Sequence, residues 1–117
     1  MTSSEQTPRR LKVARLVQKE IGNHLQREAF TLCKGRMVSV TNVRMTPDLA
    51  IARVYLSIFP SDNADEVLNN IKLHIKSIRH FLGNQVHQQL RIVPDLEFFI
   101  DDSLDYVAKI DNLLKKS

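Results

Sequence analysis

The chain has 117 residues, of which 43% are apolar and 26% charged, so a single domain with its own hydrophobic core is expected. No apolar run approaches the roughly 18 residues that span a bilayer, which excludes a transmembrane helix. Cys33 is the only cysteine, which excludes an internal disulfide and a thiolate-cluster zinc site. Residues 1–7 are polar and lack the pattern of a signal peptide, so we predict a flexible N-terminus and a cytoplasmic protein.

The net charge of +4 is distributed unevenly along the chain. Residues 1–93 contain 14 Lys and Arg against 7 Asp and Glu, whereas residues 94–117 contain 3 against 6. The positive field therefore belongs to the first four-fifths of the chain. Such a field favours a polyanionic partner, because cationic side chains that neutralise phosphates release counterions from nucleic acid.

The first predicted helix begins after Thr7 as N-cap, with Pro8 in its first turn, and runs to about Ala29. Gly22 lies in its interior and marks either close packing or mere tolerance. One apolar arc is predicted to face the core: Leu11, Ala14, Val17, Ile21 and Leu25. Another side carries a basic row: Arg9, Lys12, Arg15 and Lys19.

Two strands follow, at Met37–Met45 and Ile51–Phe59, because both segments are rich in β-branched residues with largely alternating polarity. Pro47 and Asp48 between them suit the two central positions of a type I turn, so the strands are predicted to form a hairpin. We interpret Asp48 as a turn residue and not as a catalytic acid. The second strand is predicted to bury one face: Val54, Leu56 and Ile58.

A second helical pattern runs from Asp62 to about Gln89, and as one rod it would be about 40 Å long, longer than a domain of this size is wide. We therefore expect a bend or a break, near Gly83 or in the region of Ser77. Beside its apolar arc lies a second basic row: Lys72, Lys76 and Arg79.

The segment Arg91–Phe99, RIVPDLEFF, is predicted to be a third strand in the same sheet, with Pro94 tolerated only at an edge or a bulge. A short C-terminal helix is predicted from about residue 103. The predicted order α-β-β-α-α-β plus this helix defines an α+β domain over residues 8–117, with helices on one face of a three-stranded sheet.

Three segments, VTNVRMTPDLAIARVYLSIF, IRHFLG and LRIVPDLEFFIDDSLDYVAKIDNLL, resemble the ribosome-binding factor A family, and the likeness extends from Pro8 to about Leu114. The resemblance implies a type II KH-like fold and a non-catalytic factor. Such a factor would associate with the immature small (30S) ribosomal subunit and its 16S-type rRNA, and would support late rRNA maturation and processing. We expect a monomer when the protein is free.

One segment departs from the family pattern. The resemblance implies an Ala-x-Gly kink between the two central helices, but the matching positions here are His74, Ile75 and Lys76. Either the kink forms without glycine, or it moves toward Ser77 or Gly83. Because a Gly-x-x-Gly loop is also absent, we expect charged helix faces, and not a glycine loop, to contact RNA.

Two sets of cations are the candidate RNA-binding residues, and the alternative is that they are solvated faces around an amphipathic core. The first set is Arg9, Arg10, Lys12 and Arg15, and the second is Lys72, Lys76, Arg79 and Arg91. For Tyr55 we favour a role in packing over stacking on a base.

Enzymatic interpretations find little support. The four histidines, His24, His74, His80 and His87, lack zinc-site spacing, so no metal is predicted. The acids from Asp95 to Asp105 are explained by strand-end and cap chemistry. No P-loop, dinucleotide fingerprint or nucleophile elbow occurs, so we predict no catalytic residues and no cofactor. A protein adaptor that recruits a partner chain through the sheet edge and the acidic end is the alternative function.

Overall fold

The computed structural model describes residues 7–101. Those residues form, in chain order, α1 (Pro8–Arg27), α2 (Ala29–Cys33), β1 (Met37–Met45), β2 (Ile51–Phe59), α3 (Ala64–Leu73), α4 (Ile75–Val86) and β3 (Asp95–Ile100). Most of the predicted flexible N-terminus and the helix predicted from about residue 103 lie outside this range. Among the described helices, none is long and apolar enough to cross a membrane.

Helix α1 begins as predicted, because the Thr7 hydroxyl accepts a hydrogen bond from the Arg10 N–H at 3.3 Å. The predicted core position of Leu11 is wrong, since its side chain is 40% exposed. Leu11 and Val13 lie on opposite borders of the arc formed by Ala14, Val17, Ile21 and Leu25, each about 80° from its centre, and the structure buries Val13 and not Leu11. The buried arc of α1 is Val13, Ala14, Val17, Ile21 and Leu25.

The short helix α2 was not predicted, because five residues carry too little periodicity to separate them from the end of α1. It ends at Lys34 and Gly35, which both have positive φ, and the Gly35 N–H donates to the Ala29 carbonyl at 2.9 Å. Cys33 is fully buried in this helix, and burial raises the pKa of its thiol to about 11. Cys33 is therefore a core residue.

Strands β1 and β2 have the predicted bounds and pair antiparallel. The Leu49 N–H donates to the Thr46 carbonyl at 2.9 Å, which places Pro47 and Asp48 at the centre of the turn. The Asp48 carboxylate accepts from the Thr46 hydroxyl at 2.7 Å and from the Ala50 N–H at 3.1 Å, and these hydrogen bonds lower its pKa. Asp48 is confirmed as a turn residue.

The sheet is mixed, with the order β1-β2-β3 and with β3 parallel to β2. A bulge at Thr41 shifts the register of β1, so that buried side chains lie on the same face before and after it. The helices pack on this inner face, as predicted. Its buried strand residues are Val38, Val43, Met45, Ala52, Val54, Leu56, Ile58, Leu96 and Phe98.

The third strand begins later than predicted, at Asp95 and not at Arg91. Pro94 has no N–H to donate and lies buried just before the strand. The carbonyls of Val93 and Pro94 accept hydrogen bonds from the Arg79 side chain, so they take no part in the ladder.

The long helical pattern breaks at His74, which confirms the expected break and decides between its possible positions. His74 has φ −100° and ψ 17°, a region that residues other than glycine can adopt. Its ring Nδ1 lies 2.8 Å from the Asn70 carbonyl, and its own carbonyl accepts from the Ser77 hydroxyl at 2.9 Å. The kink therefore forms without glycine, and Gly83 lies inside α4.

Candidate nucleic-acid interface

The first turns of α1 carry adjacent arginines with different surroundings. Arg9, Lys12 and Arg15 are exposed and form no ion pair with any residue in the range 7–101. Arg10 is partly buried, and its Nε and Nη2 donate to the Met45 carbonyl at 3.3 and 3.0 Å. Arg10 therefore anchors the start of α1 to the end of β1, and this geometry favours a structural role over phosphate contact.

A groove runs between the N-terminal half of α1 and the loop before β3. Its apolar lining consists of Val13, Leu16 and Leu90, and Arg9 and Lys12 also line it. The groove continues toward the hairpin turn, where the lining includes Arg9, Asp48, Leu49, Arg91 and Ile92. The structure thus brings Arg91, predicted with the second set of cations, beside the first set.

The second predicted row is divided by the break at His74. Lys72 lies on α3 and lines a depression beside β3, together with Ile75. Lys76 and Arg79 lie on α4 and line a different depression, against Val93 of the loop. The three cations spaced for one continuous helix therefore do not form a single row.

Arg79 is engaged within the protein. Its Nη2 donates to the Val93 carbonyl at 2.7 Å and its Nε to the Pro94 carbonyl at 3.1 Å. The same Nε lies 3.3 Å from Asp95 Oδ1 in an exposed ion pair. Arg79 thus holds the loop that carries Arg91. This geometry favours a role in positioning Arg91 over direct contact of Arg79 with a phosphate.

Two polar residues on α4 extend the surface and were missed from the sequence. His80 and Asn84 line the same depression as Lys76 and Arg79. Their spacing at i+4 and i+8 from Lys76 is the signal that could have identified them, because such residues share one helix face. The loop joins this face to the groove, since Arg91 lines the groove and Val93 lines the α4 depression.

Several carboxylates in the described part of the chain pair with other cations. Besides Arg79–Asp95, the ion pairs among these residues are Lys34–Glu66 at 2.7 Å, Arg36–Asp62 at 3.5 Å and Arg53–Glu97 at 3.3 Å. The hydrogen bond from Lys34, followed by its charge, lowers the pKa of Glu66. Arg9, Lys12, Lys76 and Arg91 form no ion pair with any described carboxylate, so they are available to an external anion.

The described histidines are not grouped with other possible metal ligands. His24 stacks on Phe81 with ring centroids 4.0 Å apart, between α1 and α4, and burial lowers its pKa. Within residues 7–101, no group of three or more His, Cys, Asp or Glu side chains is placed to hold a metal ion.

An α+β domain with a mixed three-stranded sheet, helices on one face and a basic helix-and-loop surface belongs to the type II KH-like class. A crystal structure of ribosome-binding factor A from Thermus thermophilus shares this fold, with a TM-score of 0.66 and 18% identity, over 78% of this chain and 94% of that one. A homology model of the Thermus thermophilus factor, fitted into a cryo-EM map of its complex with 30S, aligns with a TM-score of 0.57 and 20% identity, over 74% and 89% of the two chains.

The chain belongs to the ribosome-binding factor A family, whose model matches residues 9–114. A ribosome-binding factor A from Cytophaga hutchinsonii is 40% identical over 108 residues, which cover 92% of this chain and 81% of that relative. The resemblance drawn from the hairpin and third-strand motifs is confirmed.

Proposed function

We propose that this protein is a non-catalytic assembly factor of the cytoplasm that binds the immature small (30S) ribosomal subunit and supports late maturation and processing of its 16S-type rRNA. The observation that carries the proposal is family membership over residues 9–114. The complex of the Thermus thermophilus factor with 30S supports the choice of partner.

The surface supports RNA as the molecule contacted. Arg9, Lys12 and Arg91 stand around one groove, and Lys76 extends the positive surface along α4. Because these side chains are exposed and form no ion pairs within residues 7–101, their charges are not already neutralised by that part of the protein. Phosphate contacts of this kind position a protein on folded RNA without reading base sequence.

The eight candidate cations divide by role in this proposal. Those around the groove and on α4 contact phosphates, namely Arg9, Lys12, Lys76 and Arg91. Arg15 and Lys72 are exposed but lie apart from the groove, and they contribute long-range attraction. Arg10 and Arg79 act through hydrogen bonds that hold α1 and the loop in place.

A binding factor changes an assembly equilibrium only through differential affinity. The protein has to bind the immature subunit more tightly than the mature one, since equal affinity for both would shift neither population. A groove whose cations are mounted on α1 and on a loop held by Arg79 suits this requirement, because a rearranged RNA surface no longer matches it.

Sedimentation of a cell extract tests the proposal directly. The protein should travel with small subunits and not with full ribosomes, and nuclease treatment before affinity purification should remove its partners. A protein adaptor would instead retain a partner chain after nuclease. Sedimentation with neither small subunits nor their precursors would contradict the proposed function.

A further inference from the structure

The outer face of the sheet, which faces away from the helices, carries an apolar and aromatic surface. Tyr55 and Phe99 stack there with ring centroids 5.3 Å apart, on neighbouring strands. Met37 and Phe59 form a cross-strand pair at the far end of the hairpin and are 69% and 68% exposed. Exposed apolar side chains grouped on one face indicate an interaction surface.

The charges of this face do not suit RNA. The outward-facing residues of β3 include Asp95 and Glu97, and Asp101 follows the strand. Two arginines share the face: Arg53 is ion-paired with Glu97 at 3.3 Å, and Arg44, opposite it on β1, is partly buried. A phosphate backbone would meet carboxylates here and would gain little from an arginine that is already paired.

The last described residue of the chain, Asp101, lies on this face. The Asp101 N–H donates to the Leu56 carbonyl at 2.7 Å, and the Asp101 carboxylate accepts from the Thr41 hydroxyl at 2.6 Å. Asp101 therefore reaches across β2 toward β1 on the outer side. β3 pairs with β2 only as far as Leu56. Asp101 therefore lies beside the point where residues 57–59 of β2 have no partner strand on that side among the described residues, and this stretch ends at Phe59.

The 16 residues from 102 to 117 have a composition that suits this surface. They contain three Asp and three Lys, so the segment is neutral overall and the carboxylates of the face do not repel it. At 100° per residue, its larger apolar residues after position 105 fall on one arc of about 120°. These residues are Tyr106, Val107, Ile110, Leu113 and Leu114.

We propose that residues 102–117 dock on the outer face of the sheet, with this apolar arc against Met37, Phe59 and the Tyr55–Phe99 pair. The connection at Asp101 makes the docking intramolecular, so a modest apolar contact is sufficient to hold it. The docked segment covers the exposed aromatic surface and leaves the basic side of the domain to its ligand.

A spin label on the polar side of the segment locates it in the full-length chain. Asn112 lies opposite the apolar arc, so Asn112→Cys disturbs no proposed contact. The buried Cys33, with its raised pKa, should not react with the label under conditions that modify an exposed thiol. We expect the label to reduce the NMR amide signals of Ser39 and Ser57, on the outer face, more than those of Lys12 and Lys76.

Two matched variants of the segment test whether its apolar arc is responsible for the loss of the NMR signals. Replacing Ile110 and Leu114 by Ser should abolish the signal loss at Ser39 and Ser57. Replacing Asp105 and Ala108 by Ser introduces two serines on the polar side and should preserve it.

Variants of the face itself complete the test. Met37→Thr with Phe99→Thr should also abolish the signal loss, and Phe30→Thr, which alters an exposed aromatic of α2, should not. A uniform loss over the domain, or a stronger loss at Lys12 and Lys76, would overturn the proposal. So would an outer face whose signals respond to small-subunit RNA and not to the label.

Discussion

Arg9 and Arg10 are adjacent in the sequence and have opposite roles in the structure. Arg9 is exposed beside the groove, whereas Arg10 donates two hydrogen bonds to the Met45 carbonyl. The helix turns by about 100° between them, which is enough to place one side chain over solvent and the next against the end of β1. A count of positive charges cannot make this distinction.

This difference predicts a separation of stability from binding. Arg10→Ala should lower the free energy of unfolding by about 1–2 kcal/mol, because it removes two charged hydrogen bonds between α1 and β1. Arg9→Ala should change it by less than about 0.5 kcal/mol and should weaken binding to small subunits. Urea denaturation and subunit binding of both variants check this. Equal losses of stability would contradict the assignment.

Among the helices and strands, the two helical glycines differ in the space around them. A Cβ added at Gly22 would lie 4.0 Å from Val40 Cγ2, which is an ordinary contact, whereas one at Gly83 would lie 3.2 Å from Val93 Cγ2. Gly22 is therefore tolerated in α1 and not required there, while Gly83 allows the loop before β3 to approach α4.

Alanine substitutions at these glycines should separate the two cases. Gly22→Ala should raise the free energy of unfolding by about 0.5–1 kcal/mol, because alanine loses less backbone entropy in a helix. Gly83→Ala should gain less, because Val93 has to move. Thermal or urea denaturation gives both values. A larger gain at Gly83 than at Gly22 would show that the loop is not packed against α4.

The elements predicted correctly are those with a strong local pattern. Both hairpin strands and their Pro47–Asp48 turn follow from alternation and turn chemistry, and the start of α1 follows from Thr7 and Pro8. The start of β3 was predicted wrongly because tertiary contacts decide it. Arg79 takes the carbonyls before Asp95, and so delays the start of β3.

The candidate site was predictable only in outline. The spacing of Lys72, Lys76 and Arg79 indicates one row on a continuous helix, but the break at His74 divides it. Arg91 joins the cations of α1 because the loop folds back beside that helix, although the two segments lie far apart in the sequence. No local pattern encodes such a contact.

On the scale of the whole molecule, the described cations include an unpaired group beside the groove and on α4, and a paired group elsewhere. The paired group consists of Lys34, Arg36 and Arg53, each within ion-pair distance of a carboxylate. Each cation of either group contributes equally to net charge, so only the arrangement in space distinguishes them as partners for RNA.

This arrangement predicts a specific salt dependence. Replacing Lys12, Lys76 and Arg91 by Ala should reduce the slope of log affinity for small subunits against log salt by about 0.7–0.9 per lost phosphate contact. The matched variant, with Lys34, Arg36 and Arg53 replaced by Ala, removes the same charge and should change the slope much less. Equal changes in the two variants would show that net charge, and not the groove, attracts the RNA.

The bulge at Thr41 corrects the orientation of the second half of β1. Nine residues of β1 lie opposite eight of β2, and the odd one lets Val38 and Val43 point to the same side. Regular alternation through all nine residues, without the bulge, would reverse one half of the strand, so that Arg44 would enter the interior and Val43 would leave it. Deleting Thr41 would instead leave eight residues opposite eight, with Val43 still paired with Val54 on the inner face, so the hairpin tolerates the loss of this residue and not the loss of the bulge alone.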